Sequence, residues 1–297
     1  MIMNYSIIIP HKNVPDLLER LLASIPLRND TEIIIVDDHS DSKDVNFGSF
    51  PGIRRQNTKI VFLKDSRGAG YARNVGISKA VGKWLLFADA DDFYTDGLNS
   101  LLDKFKDDDD TDIVYLNAQI YSEKDGSTRP MYLNKYFDRY KHHKFYSEKV
   151  LRFNIWTPWT RMVKRDFVNF HNIKYEEIPV GNDKMFCLKC SQYARHIDIN
   201  SDIVYNYYMP ENGSITFGYT QKKVNLQSTL ELKLRVNQLY TEVGFAFKQS
   251  YLYPYLRQPH SENARYCMNF MKIHAISKTK DLYYALLYTI GKLFNVI

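Results

Sequence analysis

Trp84-Leu-Leu-Phe-Ala-Asp-Ala-Asp-Asp92 joins five apolar residues to three carboxylates within four positions. The apolar run reads as a strand, and it ends directly on Asp89. In an open parallel sheet, ligands bind beyond the carboxyl ends of the strands, where the crossing direction reverses. Asp89, Asp91 and Asp92 are therefore candidate site residues. Three adjacent carboxylates repel one another, and a divalent cation bridging phosphates is the economical counter-charge. Hard oxygen ligands favour Mg²⁺ or Mn²⁺. Along an extended segment Asp89 and Asp91 point to one side, while Asp92 turns away or caps the next helix.

Outward from this stretch, short β-branched runs alternate with helical patterns, the signature of βαβ units. Ser6-Ile-Ile-Ile9 reads as a first strand and Val14 to Ile25 as a helix with Leu17, Leu18, Leu21 and Leu22 on one face. Glu32 to Val36 is a second strand, stopped by Asp37-Asp-His-Ser-Asp41, and Lys59 to Leu63 is a third. Glycines at 68 and 70 open a helix over Tyr71 to Ala80. A helix from Gly97 to Lys106, a solvated acidic turn over Asp107 to Asp110 and a strand over Ile113 to Ile120 follow. From Asp125 the pattern loosens into an aromatic, basic stretch that reads as a long loop, with order resuming near Ser147. Asn182 to Tyr193 reads as a helix, Val204 to Met209 as a strand, and Gln221 to Tyr240 and Ser261 to Ser277 as long helices. The expected fold is α/β, a Rossmann-type, mostly parallel sheet flanked by helices. Residues 1–220 form the main domain, with halves at 1–120 and 121–220, and residues 221–297 a helical extension.

At 297 residues and 44% hydrophobic content the chain can fill a real core. A formal charge of +6 with 23 Tyr and 17 Phe matches neither an acidic tail nor a polybasic nucleic-acid binder, so no nucleic-acid partner is expected. Three cysteines do not make a disulfide framework, and no signal peptide or run of 18 apolar residues is visible. A cytoplasmic location is expected. Leu282 to Ile297 is apolar and aromatic and follows Lys272, Lys278 and Lys280. It reads either as a last helix packed on the body or as a segment lying on the inner face of an anionic membrane.

Two further motifs fall at strand ends: Pro10-His-Lys-Asn13 and Asp37-Asp38. Arg67-Gly-Ala-Gly70-Tyr-Ala-Arg73-Asn74-Val-Gly76 offers a close-approach turn and two guanidinium groups suited to phosphate or to surface ion pairs. Cys187-Leu-Lys-Cys190 has no second cysteine pair and reads as two buried helix residues. Trp156 and Trp159 suit either core packing or stacking on a sugar.

Taken in order, Ile7 through Asn13, Ile35-Val-Asp-Asp-His-Ser40, Arg67 through Gly76 and Leu86 through Phe93 resemble the motifs of glycosyltransferase family 2. Trp159-Thr-Arg161, Gly181-Asn-Asp-Lys-Met-Phe186, Tyr205-Asn-Tyr-Tyr208 and Gly213-Ser-Ile-Thr216 continue the likeness more thinly. The resemblance implies a GT-A fold, an inverting reaction, a nucleotide-diphospho-sugar donor of UDP type and a glycan or lipid-linked acceptor in polysaccharide synthesis. It implies that Pro10, Asn13 and Asp38 sit at the nucleotide, with Asp38 accepting from the base, together with Arg67, Arg73 and Asp89. Asp91 and Asp92 fall near the metal and diphosphate. Asp183 falls at the general base, and Asn182 departs from the Glu usual before it. Two other functions use parts of the same pattern: a phosphohydrolase with an Asp-x-Asp nucleophile, and a nucleotide-sugar-binding protein without transfer. The first of these motifs normally follows the first strand, whereas this one follows several βα units.

Overall fold

The isoleucine-rich runs become neighbouring strands buried along almost their whole length. In the computed structural model, which describes residues 2–211, 226–246, 248–251 and 261–293, the chain divides into two compact units, Met1–Ser214 and Ile215–Ile297. In the first unit β1 (Tyr5–His11) pairs in parallel with β2 (Thr31–Asp37), and β2 with β3 (Thr58–Phe62). The chain then returns across β1, so that β4 (Trp84–Phe87) pairs with its other edge, also in parallel. Strand order is thus β3-β2-β1-β4, and the reversal of direction lies between β1 and β4.

Beyond β4 the sheet is mixed. The short β8 (Arg161–Lys164) runs antiparallel to β4 and to β6 (Ile113–Ser122). β6 pairs in parallel with the long β9 (Ile197–Met209), which carries the two-residue β5 (Phe93–Tyr94) on its far edge. β7 (Thr128–Pro130) extends β6 as a hairpin arm. α1 (Pro15–Ser24) buries Leu18, Leu21 and Leu22, three of the four leucines that the sequence places on one face, and leaves Leu17 partly exposed. α2 (Ala69–Lys79) packs so closely on β1 that a Cβ at Gly76 would fall 2.4 Å from the Ile8 side chain. α3 (Gly97–Phe105) buries Leu98, Leu101, Leu102 and Phe105.

The loop expected from Asp125 is instead a strand and two helices, β7, α4 (Asn134–His142) and α5 (Lys144–Asn154). Aromatic residues and His are mediocre helix formers, which hides α4 from local reading. Tyr136, Phe137 and Tyr140 lie on one side of it and are all buried, so tertiary packing supplies what propensity does not. α6 (Arg165–Phe170) and α7 (Lys184–Tyr193) complete this unit.

The second unit contains α8 (Leu226–Glu242), α9 (Ser261–Ile273) and α10 (Lys278–Leu293). Leu230, Tyr251, Cys267, Phe270 and Met271 form its small core. Buried Asp281 accepts from the Ser250 hydroxyl at 2.9 Å and the Tyr251 N–H at 2.8 Å. None of the described helices is long and apolar enough to cross a membrane. Gly213-Ser-Ile-Thr216, the start of the helix expected from Gln221, and the last four residues lie outside the described residues.

Candidate active site

The carboxyl ends of β1 and β4 meet where the strand order reverses, and the acidic turn follows β4. Its three carboxylates have separate fates. Asp92 is 1% exposed and points inward, accepting the Tyr205 hydroxyl at 2.8 Å and the Tyr208 N–H at 2.8 Å. Burial, and then Asp91 and Asp89, push its pKa well up. Asp89 is partly exposed and pairs with the Arg73 guanidinium. Asp91 forms no ion pair among those of the described residues; burial and neighbouring Asp89 push its carboxyl up to about 6.

The glycine-punctuated motif acts as one helix face. Gly70, Arg73 and Asn74 are spaced three and four apart on α2 and all meet the segment 175–182. A Cβ at Gly70 would lie 2.2 Å from the Glu176 carbonyl oxygen, so only glycine admits this approach. The Asn74 amide grips the backbone of Tyr175 from both sides, at 2.9 and 3.0 Å. Arg73 is buried and bridges Asp89 to the Asn182 side chain, the second at 3.0 Å. Burial opposes the Arg73 charge, but Asp89, Tyr175 and Asp183 outweigh it and raise its pKa.

Asp183 stands at the N-terminus of α7 without capping it through its side chain. Burial raises its pKa, against the pull of Arg73 and Lys184. It is a carboxylate made more basic, held beside a fixed cation. One turn into the same helix, fully buried Arg161 donates to the Cys187 carbonyl at 2.8 Å and ties it to the Ile155 carbonyl. Cys187 and Cys190 are buried free thiols, and burial pushes Cys187 up to about 12, so neither is a ready thiolate. Trp159 is 4% exposed and stacks on Tyr205 at 5.0 Å, which is core packing; Trp156 lies under the Lys184 ammonium at 4.7 Å.

Across the ends of β1 and β2 a network of short bonds shapes a second part of the crevice. The Val14 N–H donates to His11 Nε2 at 3.2 Å, so the His11 proton sits on Nδ1 and goes to Asp37 at 2.9 Å. Burial works against the Asp37 charge, but bonds from His11 and Ser40 hold its pKa below the usual range. Asn13, in the left-handed region at φ 57°, donates its N–H to Ser40 and accepts from the Asp41 N–H. Pro10, the next-to-last residue of β1, is partly exposed beside Val36. Asp38 accepts from the N–H groups of Arg67 (2.7 Å) and Gly68 and from the Ser66 hydroxyl (2.8 Å), which ties the loop after β3 to the end of β2. The Arg67 guanidinium covers Tyr71 and pairs with Glu177 at 2.6 Å. An open cavity of about 890 Å³ lies here, lined by Lys12, Asn13, His39, Asp41, Phe47 and Phe62 among others.

No group of three or more potential ligands that could hold a metal ion occurs among the described residues. The acidic turn fits a different arrangement: one uncommitted carboxylate, Asp91, beside the partly exposed Asp89. Mg²⁺ and Mn²⁺ sites of that kind take one or two carboxylates from the protein and the rest from the substrate.

Residues 6–167 match the family model described as glycosyl transferase family 2. The chain belongs to this family. The uncharacterized glycosyltransferase YibD of Escherichia coli is 25% identical to the family 2 chain over 293 residues, 93% of this chain and 80% of YibD. EpsH of Bacillus subtilis is 27% identical over 198 residues, and there the match spans about half of the relative, 54%. Among solved structures, Staphylococcus aureus TarS 1–349 in complex with UDP-GlcNAc superposes with a TM-score of 0.70 at 19% identity, covering 96% of this chain and 88% of that one. The mannosyltransferase PcManGT of Pyrobaculum calidifontis, in complex with GDP-Man and Mn²⁺, superposes at 0.51 with 15% identity, covering 100% and 81%. These likenesses bear out the GT-A-type α/β fold.

Sequence reasoning did not single out Arg20. Its guanidinium donates to the Asp91 carbonyl at 2.7 Å and lies 3.9 Å from the Tyr208 ring. Nothing in the local pattern marks it, because it occupies a flank of an ordinary amphipathic helix.

Proposed function

We propose that this chain transfers a sugar, with inversion, from a nucleoside-diphosphate donor of UDP type to a hydroxyl of a glycan or lipid-linked acceptor in polysaccharide synthesis. The observation that carries the reading is the pairing of Asp89 and Asn182 through one buried guanidinium, which brings the acidic turn and the Asp183 loop to the same crevice. In such a transfer Asp183 takes the proton of the acceptor hydroxyl as the oxygen attacks the anomeric carbon, and its raised pKa suits that task. Asp91, with Asp89 beside it and Asp92 bracing the turn, would hold a Mg²⁺ or Mn²⁺ ion. That ion stabilises negative charge on the departing diphosphate when bound. Phe47 and Phe62, both half-exposed, offer ring faces to the base in the cavity beyond β1–β3, which Asn13 helps to line and to which Pro10 leads at the end of β1. Asp38 holds the Ser66–Gly68 loop, with Arg67 in it, at the end of β2, and Arg73 steadies Asp89 on the diphosphate side.

The test is calorimetric titration of UDP, GDP and UMP, each with Mn²⁺ and with EDTA, followed by transfer assays on Asp183→Asn. Metal-dependent binding of one diphosphate, with binding kept and transfer lost in the variant, supports the reading. Binding without transfer in the native chain across a broad acceptor panel supports a nucleotide-sugar-binding role instead.

The same reading places the protein on the cytoplasmic side, where a lipid-linked acceptor would be met at the membrane surface. Supporting it, Leu282, Tyr283 and Leu286 lie exposed on one side of α10, and Lys272, Lys278 and Lys280 nearby are exposed as well. Sedimentation with anionic liposomes, with and without residues 278–297, tests it; equal behaviour of the two removes the suggestion.

A further inference from the structure

Arg20 lies on the flank of α1, with one terminal nitrogen on the Asp91 carbonyl oxygen at 2.7 Å. Its guanidinium is held against the rings of Tyr208 at 3.9 Å and Phe93 at 4.9 Å, and its buried Nε has no partner. Among the described residues it forms no ion pair. A guanidinium bonded to a carbonyl has no anion beside it to offset its charge, as one paired with a carboxylate does. Arg20 therefore brings to the backbone of the acidic turn a positive charge that Glu123 answers only across the Tyr208 hydroxyl, without an ion pair.

The charge count around the turn then matters. Asp92 has both oxygens committed to β9, and Asp89 is paired with Arg73. Asp91 is left as the uncommitted carboxylate, next to two guanidinium groups. That is a poor seat for a bare divalent cation, which needs more oxygen ligands and more negative charge. A diphosphate would supply both. We propose that Arg20 is the built-in counter-charge of the acidic turn, a positioning residue that braces the Asp91 backbone and weakens the hold on a free cation, so that ion and nucleoside diphosphate bind firmly only together. This rests on the donor reading above.

The experiment measures free Mn²⁺ by the amplitude of its aqueous EPR signal at pH 8. The full chain, Arg20→Gln and Arg20→Lys are each titrated with and without UDP. Native protein is expected to bind Mn²⁺ weakly alone and far more tightly with UDP. Arg20→Gln is expected to bind Mn²⁺ alone roughly tenfold more tightly than native protein. Arg20→Lys, which keeps the charge, stays close to native. A purely structural Arg20 gives the opposite sign: loss of the brace loosens the turn and weakens Mn²⁺ binding. Unchanged or weaker binding by a folded Arg20→Gln, judged by circular dichroism, overturns the proposal. Should that variant fail to fold, native protein decides alone, because Mn²⁺ held as tightly without UDP as with it also overturns it. If UDP binds to none of the three proteins the donor reading fails, while the order of their affinities for Mn²⁺ alone still tests Arg20.

Discussion

The Tyr205 hydroxyl donates to Asp92 at 2.8 Å, so the most buried carboxylate of the acidic turn is anchored to a strand 113 residues away. The same hydroxyl oxygen accepts the Asp89 N–H at 3.0 Å. Tyr205→Phe removes both bonds and leaves a buried carboxylate oxygen unpartnered. The expected cost is about 1–3 kcal/mol of stability in urea unfolding, together with weaker Mn²⁺–UDP binding. A variant as stable as the native chain would show that the turn holds its shape without this anchor.

Asp91 makes a prediction whose sign depends on pH. Its carboxyl is raised to about 6 in the fold, against the ordinary value of 3.8 in the unfolded chain. The folded state therefore holds this proton more strongly, a contribution fully present below pH 4 and lost as pH rises through about 6. Asp91→Asn carries no such charge. In metal-free buffer the variant is expected to match native stability near pH 4 and to exceed it by about 1–3 kcal/mol at pH 8. It is also expected to lose transfer activity. Unfolding at the two pH values checks the first part, and retained turnover would count against a metal role for Asp91.

Gly70→Ala pushes a methyl group to within 2.2 Å of the Glu176 carbonyl oxygen, and backbone cannot swing aside as a side chain can. Overpacking of about 1–3 kcal/mol is expected. Because the displaced segment leads to Asp183, kcat should fall more than the KM for donor rises. Steady-state kinetics with donor varied separates the two.

Arg73 lowers the Asp183 pKa against the effect of burial. Arg73→Gln removes that cation, so Asp183 binds its proton more tightly and the acid limb of the pH–kcat profile moves to higher pH. Arg73→Lys keeps charge but not the fork that reaches Asp89 and Asn182 together, and is expected to lower kcat with a smaller shift of the limb. An unmoved limb in Arg73→Gln would remove Arg73 from the control of Asp183.

How far the site was legible follows from how local its causes are. The acidic turn after β4 was read from nine consecutive residues, because a buried strand ending on carboxylates is written in adjacent positions. The α2 motif was visible too, but its use was not: its glycine and its Arg face a segment about 100 residues further on. α4 escaped notice because its aromatic residues form a helix only when a sheet and a neighbouring helix cover them.

By itself the sequence determined the α/β alternation, the crevice at the strand ends and the membership of family 2, since each rests on short-range periodicity and contiguous motifs. Only the tertiary structure decided which charges are available there. Asp92 turns inward to β9, Asp38 holds the loop after β3, and Arg73 spans two carboxylate-bearing segments. A side chain's partner is set by the strand order and by the packing of α2 and β9, and neither is encoded in the residues that flank it.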